Sequence, residues 1–472
     1  MSFTDEQIRS IIKDTVSKII AQGAADTAAS APAAGTWMFD DANDAVAAAK
    51  EGQAQLAKMT LAQRGKLIEA MRKAALKNAE YLAELAHNET GYGRVPDKII
   101  KNKLAAEKTP GIEDLTPRAF SGDYGLTLVE QAPFGVIGSI TPSTNPTATV
   151  INNSISMIAA GNSVVYNPHP SAAHASQEAM RILNEAIVEA GGPATLITTV
   201  KKPTQQTGQV IMEHKDIKIL SITGGEGVVK VAMKTGKKCV AAGPGNPPVI
   251  VDDTADIPKA AKDIVDGASF DNNVLCIAEK EVFAFANIAD ELMYHMLKNG
   301  AYKISGEDID KVVATTLIQK DGKYVINRKY VGRNASVILR DAGVNFTGDP
   351  RLVIAEVDRN HPFVMVEMLM PVLGIVRVNT IEEAIQEAVR AEQGCWHSAM
   401  IHSKNVHNMS MAATALNTTI FVKNGPSYAS LAVEGEGYTT LTIATPTGEG
   451  LTSARTFTRA RRCTLKGDFH II

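Results

Sequence analysis

A regular alternation of strand-like and helix-like runs constrains the fold of this chain more than any other feature of its sequence. Five short, β-branched runs have the length and composition of strands: 125–131, 135–140, 163–167, 196–200 and 217–222. Runs with helical periodicity follow four of them: 146–160, 172–190, 204–213 and 226–235. A longer helical pattern, 61–89, precedes them and closes at Gly91. Strands joined through helices form βαβ units, so we predict an α/β fold with an open parallel sheet.

Ligands on such sheets bind beyond the carboxyl ends of the strands, and the loops at those ends carry unusual sequences. They are Thr141-Pro142-Ser-Thr-Asn145-Pro, Asn167-Pro-His169-Pro and Thr223-Gly224-Gly225-Glu-Gly. No G-x-G-x-x-G opens a helix after the first strand, so the standard dinucleotide fingerprint is absent. Gly224-Gly225 precedes a predicted helix and could present backbone N–H groups to a phosphate, although Gly-Gly is also common in plain turns.

A polar turn at 269–273 leads to Cys276, between a helical run (257–268) and a strand-like run (280–286). Side chains of this kind hydrogen-bond locally and disfavour helix. A thiol on such a turn can meet a ligand in a cleft, and a thiolate is a strong nucleophile. The alternative is a small buried hydrophobe, which most free cysteines are. The turn by itself leaves both roles of Cys276 open.

Composition argues against several classes of protein. The length of 472 residues predicts about three domains at roughly 150 residues each. A net charge of −3 gives no reason to expect nucleic acid or an anionic membrane as a partner. The four cysteines are scattered, so we expect no metal site, no disulfide framework and an intracellular location. No apolar run reaches the roughly 18 residues of a membrane span, and no secretory signal is visible.

Residues 4–22 have the pattern of one amphipathic helix, followed by a low-complexity Ala/Ser/Pro/Gly spacer. Its apolar residues fall on one stripe: Ile8, Ile11, Ile12, Val16, Ile19 and Ile20. So short a helix is marginal alone and needs a surface to bury that stripe. The surface is either this protein's own body or a separate partner, and the flexible spacer favours a detachable docking peptide.

Several motifs together resemble one known superfamily. They are the Thr141 to Asn145 loop, the Gly224-Gly225 loop, Gly243-Pro-Gly-Asn-Pro-Pro248, the Cys276 segment and Glu367-x-x-x-Pro371. In this order and spacing they resemble the aldehyde dehydrogenase superfamily, specifically the CoA-acylating branch found in bacterial microcompartments. The resemblance covers residues 37–472. Within the branch it is nearest to propionaldehyde enzymes of propanediol utilisation, and next to acetaldehyde enzymes of the ethanolamine pathway.

The resemblance implies a role for each motif. Cys276 would attack the aldehyde, and Asn145 would form the oxyanion hole with the Cys276 N–H. Glu367 would hold the nicotinamide ribose of NAD, and coenzyme A would be the co-substrate, using overlapping space in turn. The other cofactor-binding residues would be Thr141, Pro142, Asn167, His169, Gly224 and Gly225. His397 and His402 would line the CoA or aldehyde pocket, or be plain structural histidines.

The resemblance also implies a domain plan. Its segments are an encapsulation helix (1–22), a linker (23–36), an NAD- and CoA-binding domain (37–244), a catalytic thiol domain (245–438) and a return segment (439–472). Residues 116–134 and 439–472 would form a small β arm of a homodimer or homotetramer. The helix would bind a microcompartment shell protein and would place the enzyme in the lumen of that cytoplasmic compartment.

One departure from the superfamily is informative. Hydrolytic members carry a glutamate 34 residues before the nucleophile, where this chain has Ala242. Water needs a general base, worth roughly 10²–10⁴-fold, whereas a thiol such as CoA needs less help. Ala242 therefore favours acyl transfer over hydrolysis, unless Glu367, Glu434 or Glu436 folds into reach. A catalytically silent shell-assembly protein is a further alternative, and the sequence leaves NAD against NADP open.

Overall fold

A six-stranded sheet occupies the first half of the chain in the computed structural model, which describes residues 36–469. Its strands are β1 (Met38–Phe39), β4 (Val136–Thr141), β5 (Ser163–Pro168), β6 (Ile197–Val200), β7 (Ile217–Thr223) and β8 (Lys238–Ala242). They lie in the order β1-β6-β5-β4-β7-β8, and every pair is parallel. The helix predicted at 1–22 and the linker up to residue 35 lie outside the described residues.

Eight helices accompany this sheet. They are α1 (Ala42–Leu56), α2 (Leu61–Lys77), α3 (Ala79–Thr90), α4 (Val95–Lys108), α5 (Pro146–Ala159), α6 (Ala173–Glu189), α7 (Gln205–Glu213) and α8 (Glu226–Lys234). Helix α5 is buried along its whole length, because α2, α4 and α6 pack around it. Its Ile151 and Ile155 share one core with Ile137 of β4 and Val164 of β5. Each such side chain contributes about 1.5–3 kcal/mol on burial, which holds the start of α5 at the carboxyl edge of the sheet.

A second, seven-stranded parallel sheet follows. Its strands are β9 (Pro248–Val251), β10 (Glu281–Phe285), β11 (Ala301–Ile304), β14 (Leu352–Glu356), β15 (Val372–Val378), β16 (Ser398–His402) and β17 (Ile420–Lys423). Their order is β11-β14-β15-β10-β9-β16-β17. The accompanying helices are α9 (Ile257–Ser269), α10 (Ala289–Lys298), α11 (Glu307–Thr316), α12 (Ala335–Asp341), α13 (Pro362–Met365), α14 (Ile381–Glu392) and α15 (Val406–Leu416). Between residues 36 and 469, no helix combines the length and apolarity needed to cross a membrane.

Three small antiparallel sheets complete the architecture. One joins β2 (Arg118–Gly122), β3 (Gly125–Pro133) and β20 (Thr458–Lys466); the others pair β12 (Leu317–Lys320) with β13 (Lys323–Ile326) and β18 (Ile443–Ala444) with β19 (Gly450–Leu451). The three-stranded sheet contains most of the predicted arm segment 116–134 and, of the predicted segment 439–472, only residues 458–466. Phe120, Tyr124 and Leu465 of this sheet and its turn are exposed apolar residues, which a second copy of the chain could cover. The role of the sheet in oligomerisation stays a prediction.

The α/β fold predicted from the sequence is confirmed, and each element predicted between 125 and 235 ends within two residues of its predicted bounds. The single helix predicted over 61–89 is wrong, because the chain leaves helical geometry at Asn78 (φ −105°, ψ 11°). The Asn78 side chain donates to the Ala74 carbonyl at 2.8 Å. Asparagine often competes in this way with the helical ladder, and here α2 ends and α3 begins around it.

The polar turn that precedes Cys276 is strained and heavily hydrogen-bonded. Asp271, Asn272 and Asn273 have consecutive positive φ angles of 47°, 54° and 65°, a conformation that Asn and Asp tolerate better than other side chains. Asn272 Nδ2 donates to the Gly332 carbonyl at 2.9 Å, and Asn273 Nδ2 donates to the carbonyls of Ala268 and Glu279 at 2.8 and 2.9 Å. These bonds direct the chain into the Cys276 segment.

Gly93, just before α4, packs closely against the Asp271 carboxylate of this turn. Its φ is 70°, and a Cβ added there would lie 1.9 Å from Asp271 Oδ1. The same oxygen accepts the Arg94 N–H at 2.7 Å. The absence of a side chain at Gly93 therefore lets the backbone before α4 approach the Asp271 carboxylate.

We expect Gly93→Ala to lower the thermal unfolding midpoint more than Gly236→Ala does. Gly236 has a matching φ of 71° but open space around its Cβ position. Both variants carry the left-handed penalty of about 1–2 kcal/mol, whereas the collision with Asp271 adds about 1–3 kcal/mol in Gly93→Ala alone. Equal losses in the two variants, measured by differential scanning calorimetry, would contradict this account of the turn.

Candidate active site

Cys276 is a partly exposed thiol held in an environment that opposes ionisation. Burial, with a smaller contribution from the Glu367 carboxylate, raises the pKa of this thiol to about 12. The Lys280 ammonium group and the backbone N–H groups of Cys276 and Ile277 act in the opposite direction. The resting sulfur is therefore protonated, and groups that favour the anion already surround it.

Lys280 also hydrogen-bonds to the backbone and side chain of the segment that precedes Cys276. Its fully buried ammonium group donates to Asn273 Oδ1 at 2.5 Å and to the carbonyls of Asn273 and Leu275 at 3.2 Å each. Burial lowers the pKa of Lys280, while nearby carboxylates oppose that effect. A single side chain thus fixes the turn and places positive charge near the sulfur.

Asn145 stands immediately before the first residue of α5, with its side chain directed away from the helix. An asparagine in this position usually accepts a hydrogen bond from the first turn of the helix, but Asn145 makes no such bond. Its Oδ1 instead accepts from Lys101 Nζ at 2.5 Å, and its Nδ2 donates weakly to Thr144 Oγ1 at 3.3 Å. The positive end of the α5 dipole lies at the same point.

Lys101 connects this amide to the cysteine segment. Its ammonium group also donates to Asp271 Oδ2, which Lys98 Nζ contacts at 3.0 Å. The three side chains are at most 3% exposed. Burial acts to raise the pKa of Asp271, but the two lysines outweigh it and hold that pKa below its usual range. Burial lowers the pKa of Lys101 to about 8 despite the attraction of Asp271.

Gly245, on the loop after β8, brings three functional groups together. Its N–H donates to Glu367 Oε1 at 3.2 Å, and a Cβ added to it would lie 2.8 Å from His397 Cγ and 3.0 Å from the Cys276 carbonyl oxygen. The loop carrying Glu367 includes Leu369 with a φ of 51°, a conformation that bulky side chains rarely adopt outside functional sites. The structure therefore clusters the predicted nucleophile, the predicted ribose ligand and one predicted histidine.

His397 is a buried, neutral imidazole within this cluster. Its Nδ1 lies 2.8 Å from Ser398 Oγ, and its Nε2 is buried without a partner among residues 36–469. Burial, with the positive charge of Lys280, lowers the pKa of His397 to about 4. The ring is therefore neutral at neutral pH, with one nitrogen able to accept a hydrogen bond.

His402 does not belong to this cluster. It ends β16, whereas His397 immediately precedes that strand, so the two are separated by about 16 Å at the usual rise of a strand. His402 is buried beside α9, with Nδ1 3.9 Å from Asp263 Oδ2. Burial lowers its pKa to about 3. The structure thus leaves the predicted pocket role of His402 without support.

The predicted cofactor residues gather at the carboxyl edge of the first sheet. Thr141 ends β4, with Pro142 next in the chain, and Asn167 and His169 lie at the end of the neighbouring strand β5. Asn167 is engaged within the protein, because its Oδ1 accepts from Thr207 Oγ1 at 2.7 Å and its Nδ2 donates to the Thr204 carbonyl at 3.2 Å. His169 is exposed, and its Nδ1 bonds Ser171.

Gly224 and Gly225 follow β7, two strands away from β5, and Gly225 precedes the exposed first turn of α8. Nothing lies within 4 Å of the Cβ position of Gly225, so a phosphate can approach the backbone there. Burial, followed by the Glu392 and Glu367 carboxylates and with a smaller contribution from Glu226, raises the pKa of Cys395 to about 11.

One carboxylate, Glu367, lies near the predicted nucleophile. Three carboxylates were considered as possible bases. Glu367 lies close enough to Cys276 for its charge to raise the pKa of the thiol, whereas Glu434 and Glu436 are exposed side chains. Ala242 ends β8 and is buried. All four cysteines are free thiols.

The sequence analysis missed Lys98, Lys101 and Lys280. Lys98 and Lys101 share with Asn102 and Ala105 the buried stripe of α4, at the i, i+3, i+4, i+7 spacing normally filled by apolar residues. Two lysines on such a stripe are a signal of buried ion pairing, but only the fold reveals their partner. Lys280 carries no comparable signal, because a lysine at the start of a strand is usually solvated.

A model of the aldehyde dehydrogenase family matches residues 17–438 of this chain. Among curated proteins, an acetylating acetaldehyde dehydrogenase of Bilophila wadsworthia is 52% identical over 443 residues, covering 92% of this chain and 91% of that protein. A CoA-propanoylating propanal dehydrogenase of Salmonella typhimurium is 47% identical over 438 residues, covering 93% of this chain and 94% of that protein.

Two solved structures are also similar over most of the chain. A propionaldehyde dehydrogenase from the Clostridium phytofermentans fucose utilisation bacterial microcompartment has a TM-score of 0.90 and 49% identity, covering 92% of this chain and 100% of that one. A Rhodopseudomonas palustris propionaldehyde dehydrogenase with bound CoA and an acylated cysteine has a TM-score of 0.89 and 46% identity, covering 91% and 98%.

Proposed function

This chain belongs to the aldehyde dehydrogenase family, and we propose that it is a CoA-acylating member that converts propanal, CoA and NAD to propionyl-CoA and NADH. The observation that carries the proposal is the convergence around Gly245 of the Cys276 segment, the Glu367 carboxylate and the neutral His397 imidazole. Propanal is the first candidate because both similar solved structures are propionaldehyde dehydrogenases. Acetaldehyde is the second, because the relative named for it is 52% identical against 47% for the one named for propanal.

Acylation of the enzyme begins at Cys276. As its sulfur bonds to the aldehyde carbon, the thiol proton leaves to solvent and the carbonyl oxygen becomes an alkoxide. Lys280 and the nearby backbone N–H groups favour the sulfur anion. The Asn145 Nδ2–H and the Cys276 N–H donate to the alkoxide, and one such donor is worth about 2.7–4 kcal/mol.

The residues at the carboxyl edge of the first sheet fit a dinucleotide. Gly225 has open space and a helix N-terminus for a phosphate, and the buried Thr141 hydroxyl has no partner among the described residues. Glu367 Oε2 accepts no hydrogen bond from those residues either, and is available to a ribose hydroxyl. When bound, NAD supplies the hydride acceptor that turns the tetrahedral adduct into a thioester on Cys276.

Transfer to CoA requires a thiolate, and His397 is positioned to generate it. Its neutral imidazole takes the proton of the CoA thiol, the CoA sulfur bonds to the thioester carbon, and the Cys276 sulfur leaves as a thiolate that regains a proton. Hydrolysis is disfavoured, because Ala242 stands where hydrolytic members carry their glutamate, Glu367 is assigned to the ribose, and a CoA thiol gives up its proton far more readily than water does. The same Asn145 donor serves the second oxyanion.

The N-terminal segment supports a location for the enzyme, and the three-stranded sheet supports its assembly into an oligomer. The stripe of residues 1–22 has the pattern of a peptide that docks on a microcompartment shell protein, and one similar structure comes from such a compartment. The enzyme would then act in the lumen of a cytoplasmic microcompartment. The exposed apolar residues of β2, of the turn between β2 and β3, and of β20 support assembly into a homodimer or homotetramer.

With propanal and NAD, we expect steady-state NADH formation to fall about 10²-fold or more when CoA is omitted, because Ala242 replaces the general base of hydrolytic members and water is a much weaker acid than the CoA thiol. Cys276→Ala should abolish the CoA-dependent rate, whereas Cys463→Ala, an exposed thiol on the arm, should retain it. Brisk turnover without CoA would favour hydrolysis, and activity in Cys276→Ala would exclude the mechanism. Repeating the assay with acetaldehyde and with NADP identifies the preferred substrate and dinucleotide.

His397→Ala should slow transfer to CoA by about 10²–10⁴-fold, the usual contribution of a general base, while a single turnover without CoA still yields its burst of NADH. His402→Ala removes another buried imidazole adjoining the same strand and should leave both phases unchanged. Rapid-mixing absorbance at 340 nm separates the phases. Loss of the burst in His397→Ala, or equal effects of the two substitutions, would assign His397 a structural role.

Deletion of residues 2–20 should leave the CoA-dependent rate unchanged and abolish recruitment to purified shells, measured by co-sedimentation. Ile12→Glu should have the same effect, because it places a charge on the apolar stripe. Lys13→Glu changes a residue off that stripe and serves as the control. If the truncated enzyme lost activity or unfolded, the segment would belong to the core of the enzyme instead.

A further inference from the structure

We propose that Lys101 is a positioning residue for acyl transfer, whose ammonium group holds the Asn145 amide with its N–H groups turned toward the substrate oxygen. The inference deepens the proposed function and rests on it, because it presumes that Asn145 donates to the oxyanion. Lys101 itself touches neither substrate nor cofactor in this scheme.

The chemistry of the two side chains determines how the amide is oriented. An ammonium group offers only donors, so the atom that it contacts at 2.5 Å must be the amide oxygen. The Nδ2 group then points the other way. Its one partner among residues 36–469 is Thr144 Oγ1 at 3.3 Å, which leaves an N–H free for an incoming oxyanion.

Lys101 also competes with the conformation that an asparagine at this position would otherwise prefer. The residue before a helix commonly folds its side-chain oxygen back onto the first-turn N–H groups. Asn145 makes no such bond, because its oxygen is engaged by Lys101. Without the lysine, the amide is free to turn toward α5 and to withdraw Nδ2 from the substrate.

The ammonium group is rigid enough for this task. Lys101 is 3% exposed and is paired with Asp271, which lies five residues before Cys276 on the strained turn. Lys98 holds the same carboxylate, and the Asp97 carboxylate accepts the Asp271 N–H at 2.8 Å. A cation on the amide oxygen also polarises the amide and strengthens its N–H as a donor.

Lys98 provides a matched control within the same cluster. It is equally buried and contacts Asp271 at 3.0 Å, but no hydrogen bond joins it to Asn145 in the described structure. Lys101→Met and Lys98→Met therefore remove the same charge from the same carboxylate, and only the first removes the contact with the amide.

The test is a pair of double-mutant cycles on the rate of Cys276 acylation, followed as single-turnover NADH formation. Lys101→Met should lower this rate and kcat about 10- to 100-fold with little change in the KM for aldehyde, because one oxyanion donor is worth up to about 10²–10³-fold. In an Asn145→Ala background the same substitution should cost less than about threefold, because the amide it positions is gone. Lys98→Met should lower the acylation rate by the same factor with and without Asn145, so that its effect and that of Asn145→Ala multiply in the double variant.

Each outcome is decisive. Full acylation activity in Asn145→Ala would overturn the proposed role of Asn145, and this inference with it. If Asn145→Ala acylates slowly, and Lys101→Met lowers the acylation rate by the same factor with and without Asn145, the inference alone would be overturned. If Lys101→Met is insoluble, Lys101→Gln retains an N–H donor and should lower the rate about three- to tenfold, again only when Asn145 is present; no loss in Lys101→Gln would then contradict the inference.

Discussion

The geometry of this site depends on the buried carboxylate of Asp271. A carboxylate removed from water is costly unless it is paired and hydrogen-bonded, and Lys98, Lys101 and the Arg94 N–H meet that requirement. All three belong to the α4 region, whereas Asp271 belongs to the strained turn before Cys276. The ion pairs thereby join two parts of the chain that lie 170 or more residues apart. Asn145 is added to this connection through Lys101.

The same cluster explains how a neutral thiol can serve as a nucleophile. Burial and Glu367 keep the sulfur protonated at rest, which protects it from adventitious reactions. Lys280 and the local N–H groups favour a negative charge on the sulfur, and in the proposed reaction the α5 dipole favours the alkoxide beside Asn145. These fixed dipoles do not need to reorganise during the reaction, which is the condition under which electrostatic stabilisation is most effective. In the proposed function, the neutral His397 accepts the proton of the CoA thiol.

Much of this architecture was predictable, because it depends on local periodicity. The strands at 163–168 and 217–223 are short apolar runs, and the turn before Cys276 contains the residue types that tolerate left-handed backbone. The break at Asn78 was missed because it results from one side-chain hydrogen bond inside a continuous helical pattern. His397 and His402 looked equivalent in sequence, yet they lie at opposite ends of β16.

The α/β class, the strands between residues 125 and 223 and a candidate nucleophile at Cys276 were predictable from local patterns of the sequence. The oxyanion donor Asn145 and the ribose carboxylate Glu367 were predicted from the resemblance of short motifs to one superfamily. Three further features depend on the fold: Lys98 and Lys101 are buried on Asp271, Lys280 places positive charge near the thiol, and Asn167 is engaged by α7. The physical reason is that the protonation state and orientation of a side chain depend on burial and on partners distant in sequence, which no local pattern encodes.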